Sequence, residues 1–328
     1  SHRRRWLWAA VALAVVVSAV LYPHLALETL RFVLWSFLAV LPLVIPGMLL
    51  SAWVGASGIG GRLSERFSRN SAVAVLTASA IGAVTPVCGV TVLPLMTGLL
   101  AAGVPLAPVM AFWLSSPVTD PAMLAATAAL LGTEMAVAKT LAAFLLGLLG
   151  GAVVAALAGR PWIAAPLRAV GPTGAGCPED GDGTVVWRIW HAPERRRRFL
   201  WELWSMTRLI VLCLPPAFAA EHLLQQVLAP DALAAYLGGD SALAVPLAVL
   251  VGAPAYLDGY AALPLTRSLM EHGMSPGAAL AFLVSGGAVS IWGAMAIAPV
   301  LRLRPFLLYL ALAVVGSLAV GYLYDLLA

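Results

Sequence analysis

Two carboxylates stand inside otherwise apolar stretches, Asp120 in "WLSSPVTDPAMLA" and Asp258 in "GAPAYLDGYAALP". An acidic side chain costs about 2.5 to 3.5 kcal/mol to insert at the centre of a membrane helix, so those that occur there commonly mark ion or proton paths. Proton exchange is the chemistry open to them. A plainer role is also open, since an aspartate can cap a broken helix and Pro121 and Gly259 suit such a break. Around the carboxylates fall one thiol, Cys88, and the hydroxyls of Thr85, Thr91, Ser115, Ser116, Tyr256, Tyr260 and Ser285. A thiolate suits soft ions and hydroxyls suit oxygen-rich solutes. Small hydroxyl residues equally let membrane helices pack closely. Gly89 and Gly259 open the helical segments that follow them, and the amides of a helix start favour an anion or an electron-rich oxygen. Cys88, Cys177 and Cys213 form no CxxC pair, so neither a disulfide framework nor a metal site is expected, and no cofactor motif is present.

Composition dictates what must hold these groups. Hydrophobic residues make up 62% of the chain and charged residues 10%, with a mean hydropathy of +0.95. Ordinary globular chains carry about 25% charged residues, so this is an all-α polytopic membrane protein. The net charge of +4 comes from arginines clustered beside apolar runs, which act as orientation signals and argue against a nucleic-acid partner. Apolar stretches run roughly Trp6 to Leu21, Leu30 to Val54, Ala72 to Ala102, Pro105 to Leu131, Glu134 to Leu157, Trp204 to Leu228, Leu243 to Met270, Ala278 to Leu301 and Phe306 to Leu327. About 20 helical residues cross a bilayer core. The third and seventh stretches are interrupted, by Pro86 and Gly89 and by Pro254 and Gly259, and their halves are too short to span. Both are read as re-entrant hairpins, because irregular backbone at membrane depth must be buried in protein or line a wet cavity. Ser115 lies about 15 Å into its span from Pro105, near the midplane that the hairpin tips reach. Lys139 is placed about a turn inside its helix, where it can snorkel to an interface, and Glu221 and His222 near an outer end.

The two hairpins belong to a repeat. "GAVTPVCGVTVLPLMTGLLAAGVPLAPVMAFWLSSP", from Gly82, aligns without a gap to "GAPAYLDGYAALPLTRSLMEHGMSPGAALAFLVSGG", from Gly252. Matches include Gly89/Gly259, Pro94/Pro264, Gly103/Gly273, Phe112/Phe282 and Ser115/Ser285. The expected domains are an N-terminal span over 1–27, repeat A over 28–159 with its hairpin at 72–102, a cytoplasmic linker over 160–200 containing "ERRRR", and repeat B over 201–328 with its hairpin at 243–271. Three spans plus a hairpin is an odd number of crossings, so the second repeat is inverted. The arginine-rich loops then fall in the cytoplasm together with the N-terminus, in the inner (plasma) membrane. Inverted repeats with broken helices meeting at the midplane are the architecture of secondary transporters. A channel is the alternative. An intramembrane aspartyl protease fits less well, because the alignment sets Asp258 against Cys88 and Asp120 against Ser290 and so does not pair the two acids.

At "PVCGVTVLPLMTGLLAAGVPLAPVMAFWLSSPVTDP" and "ALPLTRSLMEHGMSPGAALAFLVSG" the chain resembles the predicted permeases that include the organoarsenical efflux permeases. The resemblance covers both repeats. It implies a permease, not an enzyme, exporting a small solute such as a trivalent arsenical or a related metalloid or oxyanion by alternating access. In that family's first hairpin two cysteines one residue apart precede a glycine; here Cys88 precedes Gly89 and Pro86 stands at the other position. One thiolate does not make a paired soft-ligand site. The reading assigns substrate contact to Thr85, Cys88, Gly89, Thr91, Ser115, Ser116, Tyr256, Gly259, Tyr260 and Ser285, and proton coupling to Asp120 and Asp258. Lipid and a small-molecule or ionic substrate are the partners expected, and a homo-oligomer is compatible with the sequence.

Overall fold

The computed structural model describes residues 23–58, 67, 70–85, 92–101, 103–167, 187, 189–227, 243–255, 259–289 and 301–327. The described residues form helices and connecting turns with no sheet, as expected for an all-α membrane protein. Helix α1 is Pro23–Ser57, α2 Ser71–Val84, α3 Val92–Ala101, α4 Leu106–Ser115, α5 Pro121–Leu131 and α6 Thr133–Ala156. After the short α7, Pro161–Ala164, come α8 Pro193–Val227, α9 Ala244–Ala255, α10 Gly259–Glu271, α11 Pro276–Ala288 and α12 Leu303–Leu327.

Local chemistry explains where these helices begin and end. Asn70 accepts the Val73 amide at the start of α2, and Ser275 accepts the Ala278 amide at the start of α11, where Pro276 takes the first helical position. The α3 and α10 helices close on Gly103 and Gly273, at φ 84° and 98°. In both turns the following amide reaches back five residues, Val104 to the Leu99 carbonyl and Met274 to the Leu269 carbonyl, each at 3.0 Å. Glycine enters that left-handed region without the steric cost a side chain adds.

Among the described residues, α6 and α12 are helices long and apolar enough to cross a membrane by length and composition. Their outer faces carry Leu141, Leu145 and Leu149 on α6 and Leu307, Val315 and Leu323 on α12, all exposed. Their inner faces carry Gly147, Gly150 and Gly151, and Gly316 and Gly321. Small residues let backbones approach where lipid tails supply no hydrophobic drive to associate, and leucines meet those tails. Helices α2 and α9, of 14 and 12 residues, reach only about 20 Å each.

Two departures from the expected elements bear on function. The stretch Pro105 to Leu131 is two helices, because the chain turns at Ser116–Val118 and runs extended through Asp120 before α5. Pro117 and Pro121 favour that interruption, since neither has an amide hydrogen for a helical bond. Second, α8 starts at Pro193 within the expected linker, so Arg195 to Arg198 are helical. Arg195 donates to the Ala56 carbonyl at 3.1 Å, near the end of α1. At the other end of the pair, Thr29 Oγ1 meets His222 Nδ1 at 3.0 Å. Helices α1 and α8 therefore pack antiparallel.

The packing repeats along with the sequence. A Cβ built on Gly82 would stand 2.8 Å from the Phe112 carbonyl oxygen and press on Ser115 Oγ. One on Gly252 would stand 2.8 Å from the Phe282 carbonyl oxygen and press on Ser285 Oγ. Likewise Gly151 fits against Val75 and Ala111 as Gly321 fits against Val245 and Ala281. Every residue in the second set stands at the same offset from its counterpart in the first. The matched residues of the alignment thus make matched contacts.

Candidate functional site

Where α4 breaks, the two halves of the chain touch. The turn residues Pro117 and Val118 lie against Gly287 of α11, whose added Cβ would be 3.0 Å from the Pro117 carbonyl oxygen and 3.1 Å from Val118 Cα. Pro117 and Gly287 are themselves equivalent positions in the alignment. Beside this contact lies a cavity lined by Pro117 and Val118 from the turn, Lys139 from α6, Gly252 from α9, Ala262 from α10, and Phe282, Leu283, Gly286 and Gly287 from α11. It measures about 10 Å³, room for one water-sized sphere.

Lys139 is the residue that sequence reasoning misplaced. It is 2% exposed, and its ammonium has no hydrogen bond or ion pair among the described residues. Snorkelling fails because α6 presents Lys139 on the same inner face as Ala136 and Ala143, which is covered by packed helices. The repeat offset held a signal that could have found it, since Lys139 is the counterpart of Tyr309. Tyr309 is also buried. Its ring stacks on Trp113 with centroids 4.2 Å apart and planes at 12°, and its hydroxyl donates to the Ala288 carbonyl, the last residue of α11. Each repeat thus sends a long side chain from its last helix toward the other half. Tyr309 has a bonded hydroxyl, whereas Lys139 has an amine without a hydrogen-bond or ion-pair partner among the described residues and borders the cavity.

Of the predicted site residues, Asp120 caps α5, its Oδ1 accepting the amides of Ala122 and Met123, both at 2.8 Å. It also acts electrostatically on Lys139 without forming an ion pair. Ser115 and Ser285 are fully buried, and their hydroxyls donate within their own helices, Ser115 to Ala111 at 2.9 Å and Ser285 to Phe282 at 3.1 Å. Neither lines the cavity. Ser116, which ends α4 beside Pro117, is 2% exposed and its Oγ has no partner. Thr85 caps the C-terminus of α2 and donates to the Ile81 carbonyl at 2.5 Å. Gly259 and Tyr260 open α10. Cys88, Gly89, Thr91, Tyr256 and Asp258 lie outside the described residues. Among the described residues no group of three or more His, Cys, Asp or Glu side chains could hold a metal ion.

The model of a family described as "Predicted permease" matches residues 25–326. A UPF0718 protein of Methanocaldococcus jannaschii is 31% identical over 139 residues, which cover 42% of this chain and 38% of that protein. No solved structure matches.

Proposed function

The chain belongs to this family of predicted permeases, and from that premise we propose that it is a secondary transporter whose two inverted repeats give alternating access to a site near the bilayer midplane. The observation that carries the proposal is the residue-for-residue recurrence of the glycine contacts, joined to the antiparallel packing of α1 and α8. Equivalent helices that run antiparallel are what a two-fold axis in the membrane plane requires. The contact of Pro117 with Gly287 supports placing the meeting point of the repeats at the broken end of α4. In this reading the protein exports a small solute across the inner membrane, with its N-terminus in the cytoplasm. A trivalent arsenical or a related metalloid or oxyanion is the solute class.

Substrate contact is assigned to the hairpin breaks, through Thr85, Cys88, Gly89, Thr91, Tyr256, Gly259 and Tyr260, and to Ser115, Ser116 and Ser285 at the junction. Asp120 and Asp258 supply proton coupling. Capping does not disqualify Asp120, because protonation would remove the charge that holds the first turn of α5.

Flux into and out of proteoliposomes, measured for arsenicals, oxyanions and metals with and without a pH gradient, tests the assignment. A gradient-driven, saturable flux of one class is expected, and steady conductance at fixed voltage would replace the transporter with a channel. Asp258→Asn should insert normally, bind substrate and lose gradient-driven flux. Asp120→Asn should be milder, since asparagine also caps helices well. Unchanged flux in the double variant removes proton coupling through these residues.

A further inference from the structure

We propose that Lys139 is the counter-charge for an anionic substrate, and that the cavity it borders is the closed form of a substrate site that opens when the repeats part; this rests on the transporter reading above. Three observations converge. Lys139 is 2% exposed and without a hydrogen-bond or ion-pair partner among the described residues. A buried, unpaired ammonium is costly to keep, and a site that retains one commonly has a use for its charge. Among the described residues that line the cavity no other is charged; Val118, Ala262, Phe282, Leu283 and glycines make up most of them. Asp120 is in electrostatic range, yet its Oδ1 is committed to the first turn of α5.

Comparison of the two repeats sharpens the assignment. At the place of Lys139 the second repeat carries Tyr309, whose hydroxyl closes the end of α11 through Ala288. Packing alone would be served by a neutral side chain there, as Tyr309 shows. At this aligned position the halves differ by one ionisable side chain, beside the contact of Pro117 with Gly287. Ser116, at the same break, is buried with an unpartnered hydroxyl but is not part of the cavity wall. With room for one water-sized sphere, the cavity admits an anion only when the repeats part. Entry and exit therefore require the conformational change that alternating access supplies.

The assignment selects charge, and so separates oxyanions from neutral arsenous acid. Arsenate, phosphate, sulfate, nitrate, acetate and arsenous acid are offered to proteoliposomes of the wild type, Lys139→Met and Lys139→Arg. Melting in detergent monitors folding; Lys139→Met removes an unpaired buried charge and should melt at or above wild type. At least one anion should be transported by wild type, about ten-fold or more slowly by Lys139→Met, with partial recovery in Lys139→Arg, as expected for losing a charged hydrogen bond. Equal anion flux in Lys139→Met overturns the proposal and leaves the permease standing. Flux of arsenous acid without flux of any anion does the same. If wild type moves none of the six, the anion assignment is overturned, and the permease reading is decided by the wider panel of arsenicals and metals. Should Lys139→Met fail to fold, Lys139→Arg decides: wild-type folding with anion flux retained supports the charge, and wild-type folding with flux abolished overturns it, because arginine keeps the cation.

Discussion

A methyl group tests the packing at Gly82 and Gly252. Each added Cβ would stand 2.8 Å from a backbone carbonyl oxygen, of Phe112 or Phe282, and backbone cannot swing aside as a side-chain tip can. Gly82→Ala and Gly252→Ala should each lower stability by about 1 to 3 kcal/mol, the usual cost of overpacking. Gly98, in the middle of α3, has nothing within 4 Å of its added Cβ. Gly98→Ala should therefore be neutral or raise stability by up to about 1 kcal/mol through helix propensity. Thermal melting in detergent reads all three, and comparable losses at the three sites would contradict the packing described. The serines beside these glycines illustrate what sequence shows and what it hides. Ser115 and Ser285, aligned in the sequence, sit against the aligned glycines, but their residue types did not disclose that each hydroxyl turns back onto its own helix.

At the scale of elements, the hairpin turns give the sharpest test. Helices α3 and α10 end on Gly103 and Gly273 with the same turn geometry, and the inverted-repeat reading sets those turns on opposite sides of the membrane. Single cysteines at Ala102 and His272, in a cysteine-free background, should react with an impermeant thiol reagent from the cytoplasm and from outside respectively. Labelling from one face alone would leave two repeats in the same orientation. The short apolar halves and their glycine stops were legible because proline and glycine punctuate helices by local geometry. The break in α4 at Ser116–Val118 was only half legible. Pro121 suited a helix break, but whether a proline kinks a span or divides it depends on what fills the gap, here Gly287 of α11. Lys139 was misread for a similar reason. Distance along a helix gives depth, whereas burial depends on which face neighbouring helices cover.

For the molecule as a whole, alternating access demands that the two halves move against each other where they meet. One place where they meet is the close contact of Gly287 with Pro117 and Val118, at positions aligned in the two repeats. Neighbouring Gly286 also comes close to its own repeat, its added Cβ 3.3 Å from the Gly252 carbonyl oxygen. At this contact the two backbones meet with little side chain between them, whereas nearby the halves interdigitate through Trp113 stacked on Tyr309. A methyl at Gly287 needs its neighbours to yield by only a few tenths of an ångström, so Gly287→Ala should fold and transport at a modestly reduced rate. Gly287→Leu fills the junction with a branched side chain that must lodge in the cavity beside Lys139 or hold the halves apart. It should cost about 1 to 3 kcal/mol of stability and slow turnover about ten-fold or more, while Leu at Gly98 leaves turnover unchanged. Flux and melting measured on the same preparations separate the two effects. If Gly287→Leu melts lower but transports at the wild-type rate, the contact is packing within a rigid unit, and the moving interface must be sought elsewhere, first along the antiparallel pair α1 and α8.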